Sequence, residues 1–165
     1  MATFSFDIVS DYDKAEVTNV FDQTKREIDN RYDFKGTTAA IDWLNDDHTG
    51  FKITGDSQYQ LDAVLDIIRK KLAGRNQSQK LLDTSKEPNT SNLKMTQEVP
   101  FKKGLDQEKA KKITAAIRDS YPKAKTQIQG QEVRVTSTSK DELQGVMQLL
   151  RSKDYDFPLS FTNFR

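Results

Sequence analysis

The chain has 165 residues, 26 Lys+Arg against 25 Asp+Glu, a formal net charge of +1 and no Cys. That length allows one ordinary domain or two small ones, and the charge balance excludes a molecule-wide field steering the protein onto nucleic acid or membrane. Lack of Cys excludes disulfides, thiolate metal sites and a Cys nucleophile. No segment approaches the roughly 18 apolar residues of a membrane span, and the start MATFSFDIVSDYD has no basic n-region, so a soluble, cytoplasmic, monomeric protein is expected.

Phe4, Phe6 and Ile8 alternate with polar residues, the pattern of a half-buried strand. Val17, Val20, Phe21, Thr24 and Ile28 then share one helical face, with Ser10, Asp11 or Asp13 available as N-cap. Residues 40–45 and 51–55 predict a hairpin across Asp46-Asp47-His48-Thr49-Gly50. Leu61, Val64, Leu65, Ile68 and Leu72 form an unbroken helical stripe behind Ser57 and Gln60. A weak strand is expected within 78–83, and the polar stretch 82–92, LDTSKEPNTSN, reads as linker.

The order then recurs. Met95, Val99 and Phe101 predict a strand that Pro100 marks as edge or bulged. Asp106 caps a helix carrying Ala110, Ile113 and Ile117, and residues 126–129 and 132–136 form a hairpin around Gly130-Gln131. Ser139 and Glu142 precede a helix with Leu143, Val146, Met147 and Leu150, and Phe161 and Phe164 close the chain in a strand. At an offset of 82 residues Phe51, Lys52, Ile53 and Thr54 match Val133, Arg134, Val135 and Thr136, and Ser57 and Leu61 match Ser139 and Leu143. The expected fold is α+β: two ferredoxin-like βαββαβ units, each a four-stranded antiparallel sheet with two helices on one face. The units are expected at 1–90 and 91–165, with an exchange of terminal strands left open. Residues 1–90 hold 12 basic and 16 acidic side chains, net −4, and residues 91–165 hold 14 and 9, net +5.

Catalysis finds little support. The only His, His48, falls in a turn, there is no phosphate loop or nucleophile motif, and Asp46-Asp47 fall short of a calcium ligand set. No catalytic residue, metal ligand or cofactor is assigned. The open sheet faces carry Lys52, Thr54, Arg134 and Thr136, with Gln127 and Gln129 on the neighbouring strand. They suit phosphates and base edges rather than the base stacking of RNA-recognition domains. The plainer reading of Lys52 and Arg134 is solubilisation of an exposed face. Arg31-Tyr32-Asp33-Phe34-Lys35-Gly36 offers a ring and two cations beside a Gly, although Phe34 reads equally well as a core plug and Arg31 as a helix C-terminal charge.

SFDIVSDYD, RYDFKG, KKGLDQEKAKKI, QIQGQEVRVTS, KDELQGVMQLLR and the terminal FTNFR together resemble the YajQ family of small bacterial nucleotide-binding proteins. The resemblance implies tandem RNA-recognition-like units that bind a nucleotide, namely cyclic di-GMP, GTP or RNA, without catalysis, some members acting through a transcription regulator. The residues expected to bind it are Arg31, Phe34, Lys35, Lys52, Gln127, Gln129 and Arg134. The alternative expectation is an adaptor for such a regulator with no ligand chemistry of its own. Ser137-Thr138 stands where the family has Gly-Lys, and 75–92 departs from the family pattern.

Overall fold

The computed structural model of the protein describes residues 2–165. In chain order the elements are β1 (Phe4–Val9), α1 (Lys14–Asn30), β2 (Ala40–Trp43), β3 (Gly50–Gly55), α2 (Gln58–Gly74), β4 (Asn89–Ser91), β5 (Lys94–Pro100), α3 (Gln107–Ser120), β6 (Lys125–Gln129), β7 (Glu132–Ser137), α4 (Lys140–Ser152) and β8 (Ser160–Thr162). Each α-helix opens on a side chain that accepts from its first-turn N–H groups: Asp13, Ser57, Asp106 and Ser139. No helix among the described residues is long and apolar enough to cross a membrane.

The strands make two antiparallel four-stranded sheets, ordered β6-β7-β1-β8 and β2-β3-β5-β4. Both repeat one layout of hairpin, central strand and edge strand, covered on one face by two helices. Under the first sheet α3 and α4 bury Ile113, Ile117, Val146 and Leu150 against Phe6, Ile8, Val133 and Val135. Under the second, α1 and α2 bury Val20, Ile28, Leu61 and Ile68 against Ile41, Phe51, Ile53 and Val99. The fold is α+β with two similar ferredoxin-like units.

The units do not meet at residue 90. One comprises the chain up to Asp11 together with Lys103–Arg165, the other Tyr12–Lys102; we call them the split unit and the inserted unit. The reason lies in the central strands. β1 pairs with β7, Phe6 opposite Val135 and Ile8 opposite Val133, whereas β5 pairs with β3, Val99 opposite Phe51. Each sheet is thus completed by the strand that chain order had given to the other repeat. The boundary also carries the charge with it: the split unit holds 12 basic and 10 acidic residues, net +2, and the inserted unit 14 and 15, net −1. Most of the −4/+5 contrast came from the misplaced cut.

Three local expectations change as well. Residues 79–81 form a 3-10 turn rather than a strand, joined to the sheet only by an isolated bridge from Leu82 to Phe101. The polar stretch read as linker contains β4, paired with β5 at Thr90 and Met95. Pro100 ends an internal strand instead of breaking an edge one, so its missing N–H falls at the last rung.

Candidate functional site

On the split unit the period-2 alternation buries Val133 and Val135 and turns Arg134 and Thr136 to the open face. Register then lines up Gln127, Arg134, Asp7 and Thr162 across all four strands. Arg134 Nε donates to Asp7 Oδ1 at 2.9 Å, and its Nη2 makes a longer contact with Oδ2 at 3.5 Å. Asp7 is only 4% exposed, and the Arg134 hydrogen bond holds its carboxyl below the usual carboxylate range against the opposing effect of burial. Asn163 Nδ2 adds a third bond, 2.8 Å to Asp7 Oδ2. Asn163 sits at φ +56°, where β8 takes one extra residue before Arg165 and Ser5 exchange both backbone hydrogen bonds. That bulge aims the amide at Asp7. Arg134 is therefore first of all the counter-ion of a buried carboxylate, leaving part of its five-donor fork for a ligand. Gln127 beside it is exposed, and Gln129, opposite Glu132, is half-buried.

One row further along the same face, Lys125 lies opposite Thr136. There the sheet ends in a cavity of about 300 Å³ lined by Thr3, Lys123, Lys125, Thr136, Ser137, Thr138, Ser139 and Glu142. Its wall is organised by a short relay: Ser139 N–H donates to Ser137 Oγ at 3.0 Å, and Ser137 Oγ donates to Glu142 Oε1 at 2.7 Å. Lys123 and Lys125 reach one side because Ala124 between them turns into the core. The sequence reading missed both lysines. Their signal was the alternation Lys-Ala-Lys entering a strand, two cations one pleat apart.

The other expected residues lie on the inserted unit. Arg31 chelates Asp33, with Nε to Oδ1 at 3.0 Å and Nη2 to Oδ2 at 2.7 Å, and its guanidinium stands 4.4 Å from the centroid of Phe34. Phe34 is 5% exposed and belongs to the core, so it offers no open face for stacking; of the two readings of this ring, the plug describes its position. Tyr32 is the exposed ring of this loop, 87% accessible, with Lys35 Nζ 5.9 Å from its centroid. Gly36, at φ +74°, turns the chain there, and Asp56 anchors the loop by accepting from both the N–H and the hydroxyl of Thr38. Lys52 is exposed on the open sheet face, but register sets it between Asp42 and Glu98. Two flanking carboxylates make it a poor phosphate contact. The structure thus brings Gln127, Gln129 and Arg134 together on one unit, and Arg31, Phe34 and Lys35 together on the other.

His48, at φ +57°, stacks on Trp43 with ring centroids 4.0 Å apart. No group of three His, Cys, Asp or Glu positioned to hold a metal occurs among the described residues.

A family model described as "Nucleotide-binding protein YajQ-like" matches residues 4–165. The chain belongs to this YajQ-like family. Similar relatives are also named nucleotide-binding proteins. One from Nostoc punctiforme is 45% identical over 164 residues, 99% of each chain, and one from Nocardioides is 46% identical over 166 residues, all of each chain. One from Pseudomonas putida is 43% identical over 161 residues, 98% of each chain. The YajQ-like match takes in both units, from the start of β1 to Arg165 of the bulged C-terminus.

Proposed function

We propose that the protein binds a nucleotide without transforming it, and that the phosphates seat in the cavity at the end of β7. The observation that carries this reading is Lys123 and Lys125 lining about 300 Å³ of concave space together with the hydroxyls of Thr3, Thr136, Thr138 and Ser139. That volume is at the lower end for small-molecule sites, and two cations among hydroxyl donors suit an anion. Gln127, Gln129 and the unused donors of Arg134 continue along the same face, where they would meet base edges. The non-catalytic part of this reading rests on the relatives' shared name, nucleotide-binding protein, rather than on the lining, where Glu142, the one carboxylate, accepts from Ser137. Cyclic di-GMP, GTP and short RNA are the ligands to test. Lys35 beside the exposed ring of Tyr32 gives the inserted unit a second, weaker contact for a stacked base.

Isothermal titration at low salt is the direct test. Lys123→Glu/Lys125→Glu should weaken binding of whichever nucleotide the wild type takes by at least tenfold, and for a short RNA should flatten the salt slope by about 0.7 per lost lysine contact. Glu142→Gln should tighten it. Unchanged affinity in the double variant would remove the cavity from the site.

A further inference from the structure

The two sheets leave four edge strands, β6 and β8 in the split unit and β2 and β4 in the inserted unit. Such edges invite pairing unless they are blunted. β4 and β8 have three residues each, β8 runs into the Asn163 bulge, and β2 has four residues with Ile41 buried. β6 is different. It has five residues, no Pro and no bulge, and it pairs with β7 at every position. Ile128, on its helix-covered face opposite Val133, is 40% exposed, so the helices of the unit leave an apolar side chain partly uncovered on the edge.

Register shows which backbone groups of β6 are spare. Gln129 and Glu132 flank the two-residue loop Gly130-Gln131, with Gly130 at φ +61°, and the closing pair of such a loop exchanges both backbone hydrogen bonds. By alternation Gln127 and Lys125 also bond towards β7. Thr126 and Ile128 therefore point their N–H and C=O groups outward, where no strand lies and where neither is engaged elsewhere among the described residues. Two donors and two acceptors in line with an exposed apolar side chain are the means by which a sheet takes on an added strand. Charge selects that strand. Lys123 and Lys125 are both exposed, and no carboxylate occurs between Tyr121 and Gln131. Acidic residues opposite Lys125 would make favourable cross-strand pairs, which a second copy of β6 has no carboxylate to supply.

We propose that the β6 edge docks an extended segment of another protein in which apolar residues alternate with Asp or Glu. The apolar residues cover Ile128 and Thr126 on the helix side, and the acidic ones meet Lys125 and Lys123. The inference does not rest on nucleotide binding, because the groups that take the strand, the backbone of Thr126 and Ile128 and the Ile128 side chain, are not part of that site. The test is a ¹⁵N-HSQC titration of the full chain with a blocked peptide of alternating Val and Glu, six residues long, and with its counterpart carrying Lys in place of Glu. Saturable shifts centred on the Thr126 and Ile128 amides are expected with the acidic peptide, at an affinity at least tenfold above that of the basic one. Ile128→Pro deletes an outward N–H that β7 does not use, a change that an edge strand tolerates, and should weaken the interaction at least tenfold. Ile128→Glu keeps the N–H and places a like charge beside the peptide, and should weaken it as much. Absence of saturable shifts at Thr126 and Ile128 up to about 10 mM peptide overturns the proposal, as does equal binding of the two peptides or an affinity that both Ile128 variants leave unchanged. Dimerisation in sedimentation velocity that Ile128→Pro removes gives the edge to a second copy of the chain and overturns it as well.

Discussion

Asp7 and Arg134 show how a residue's role follows from its register. Both stand at polar positions of alternating strands, so their placement on the open face is readable from β1 and β7 taken singly. Their pairing is not, because it depends on β1 lying beside β7, more than 120 residues away. Lys52 was placed on the correct face for the same reason, and its neutralising neighbours Asp42 and Glu98 were hidden in the same way. The Asp7 pair has a measurable pH signature. Because the folded-state pKa is lowered, the stabilisation is complete above the unfolded-state value of about 3.9 and is lost as pH falls through the lower folded value. Asp7→Asn should therefore lower Tm at neutral pH, and the gap to wild type should close below about pH 4 in thermal melts followed by circular dichroism. Arg134→Met should lower Tm at neutral pH by roughly 5 °C or more, since it strands a buried carboxylate. Asp7→Asn/Arg134→Met should recover part of that loss.

At the scale of elements, the helices were the most legible, because a cap followed by an apolar stripe is written within a single segment. The β4–β5 hairpin was the least. Asn89–Ser91 has no apolar alternation, all three residues are exposed, and the strand exists because β5 supplies a free edge beside it. Its turn carries Asn92 at φ +52° and Leu93 at φ +65°, with Leu93 93% exposed. A left-handed pair suits a two-residue hairpin turn, where Gly is favoured in place of Leu. Leu93→Gly should accordingly stabilise the inserted unit by about 1 kcal/mol, read as a higher midpoint in urea, by removing the Cβ conflict of left-handed backbone. In the opposite sense, a Cβ at Gly50 would stand 2.7 Å from Pro100 Cα and 2.7 Å from the Val99 carbonyl. Gly50→Ala should destabilise the unit by about 1–3 kcal/mol, read as a lower midpoint, because backbone on the neighbouring strand cannot step aside.

For the whole molecule, the nesting of one unit within the other sets what can fold alone. Residues 12–102 contain all four strands and both helices of their unit, whereas residues 1–90 lack its central strand β5. The fragment 12–102 should give a cooperative thermal transition and dispersed amide resonances, and 1–90 should give neither. Trp43, the one tryptophan of the chain, lies in the inserted unit, so its emission follows that unit in both fragments.

The position of β1 has a further meaning during synthesis. As translation proceeds from the N-terminus, Phe4, Phe6 and Ile8 emerge before the whole inserted unit, yet their partners β7 and β8 are made after it. The inserted unit, complete at Lys102, can fold while the ribosome is still working. The nascent chain must meanwhile carry an unpaired apolar strand ahead of that unit, the kind of exposed edge that invites aggregation. The alternating Ser5 and Asp7, and the charged Asp11 and Asp13 that follow, keep that strand from being apolar on both faces until its sheet arrives.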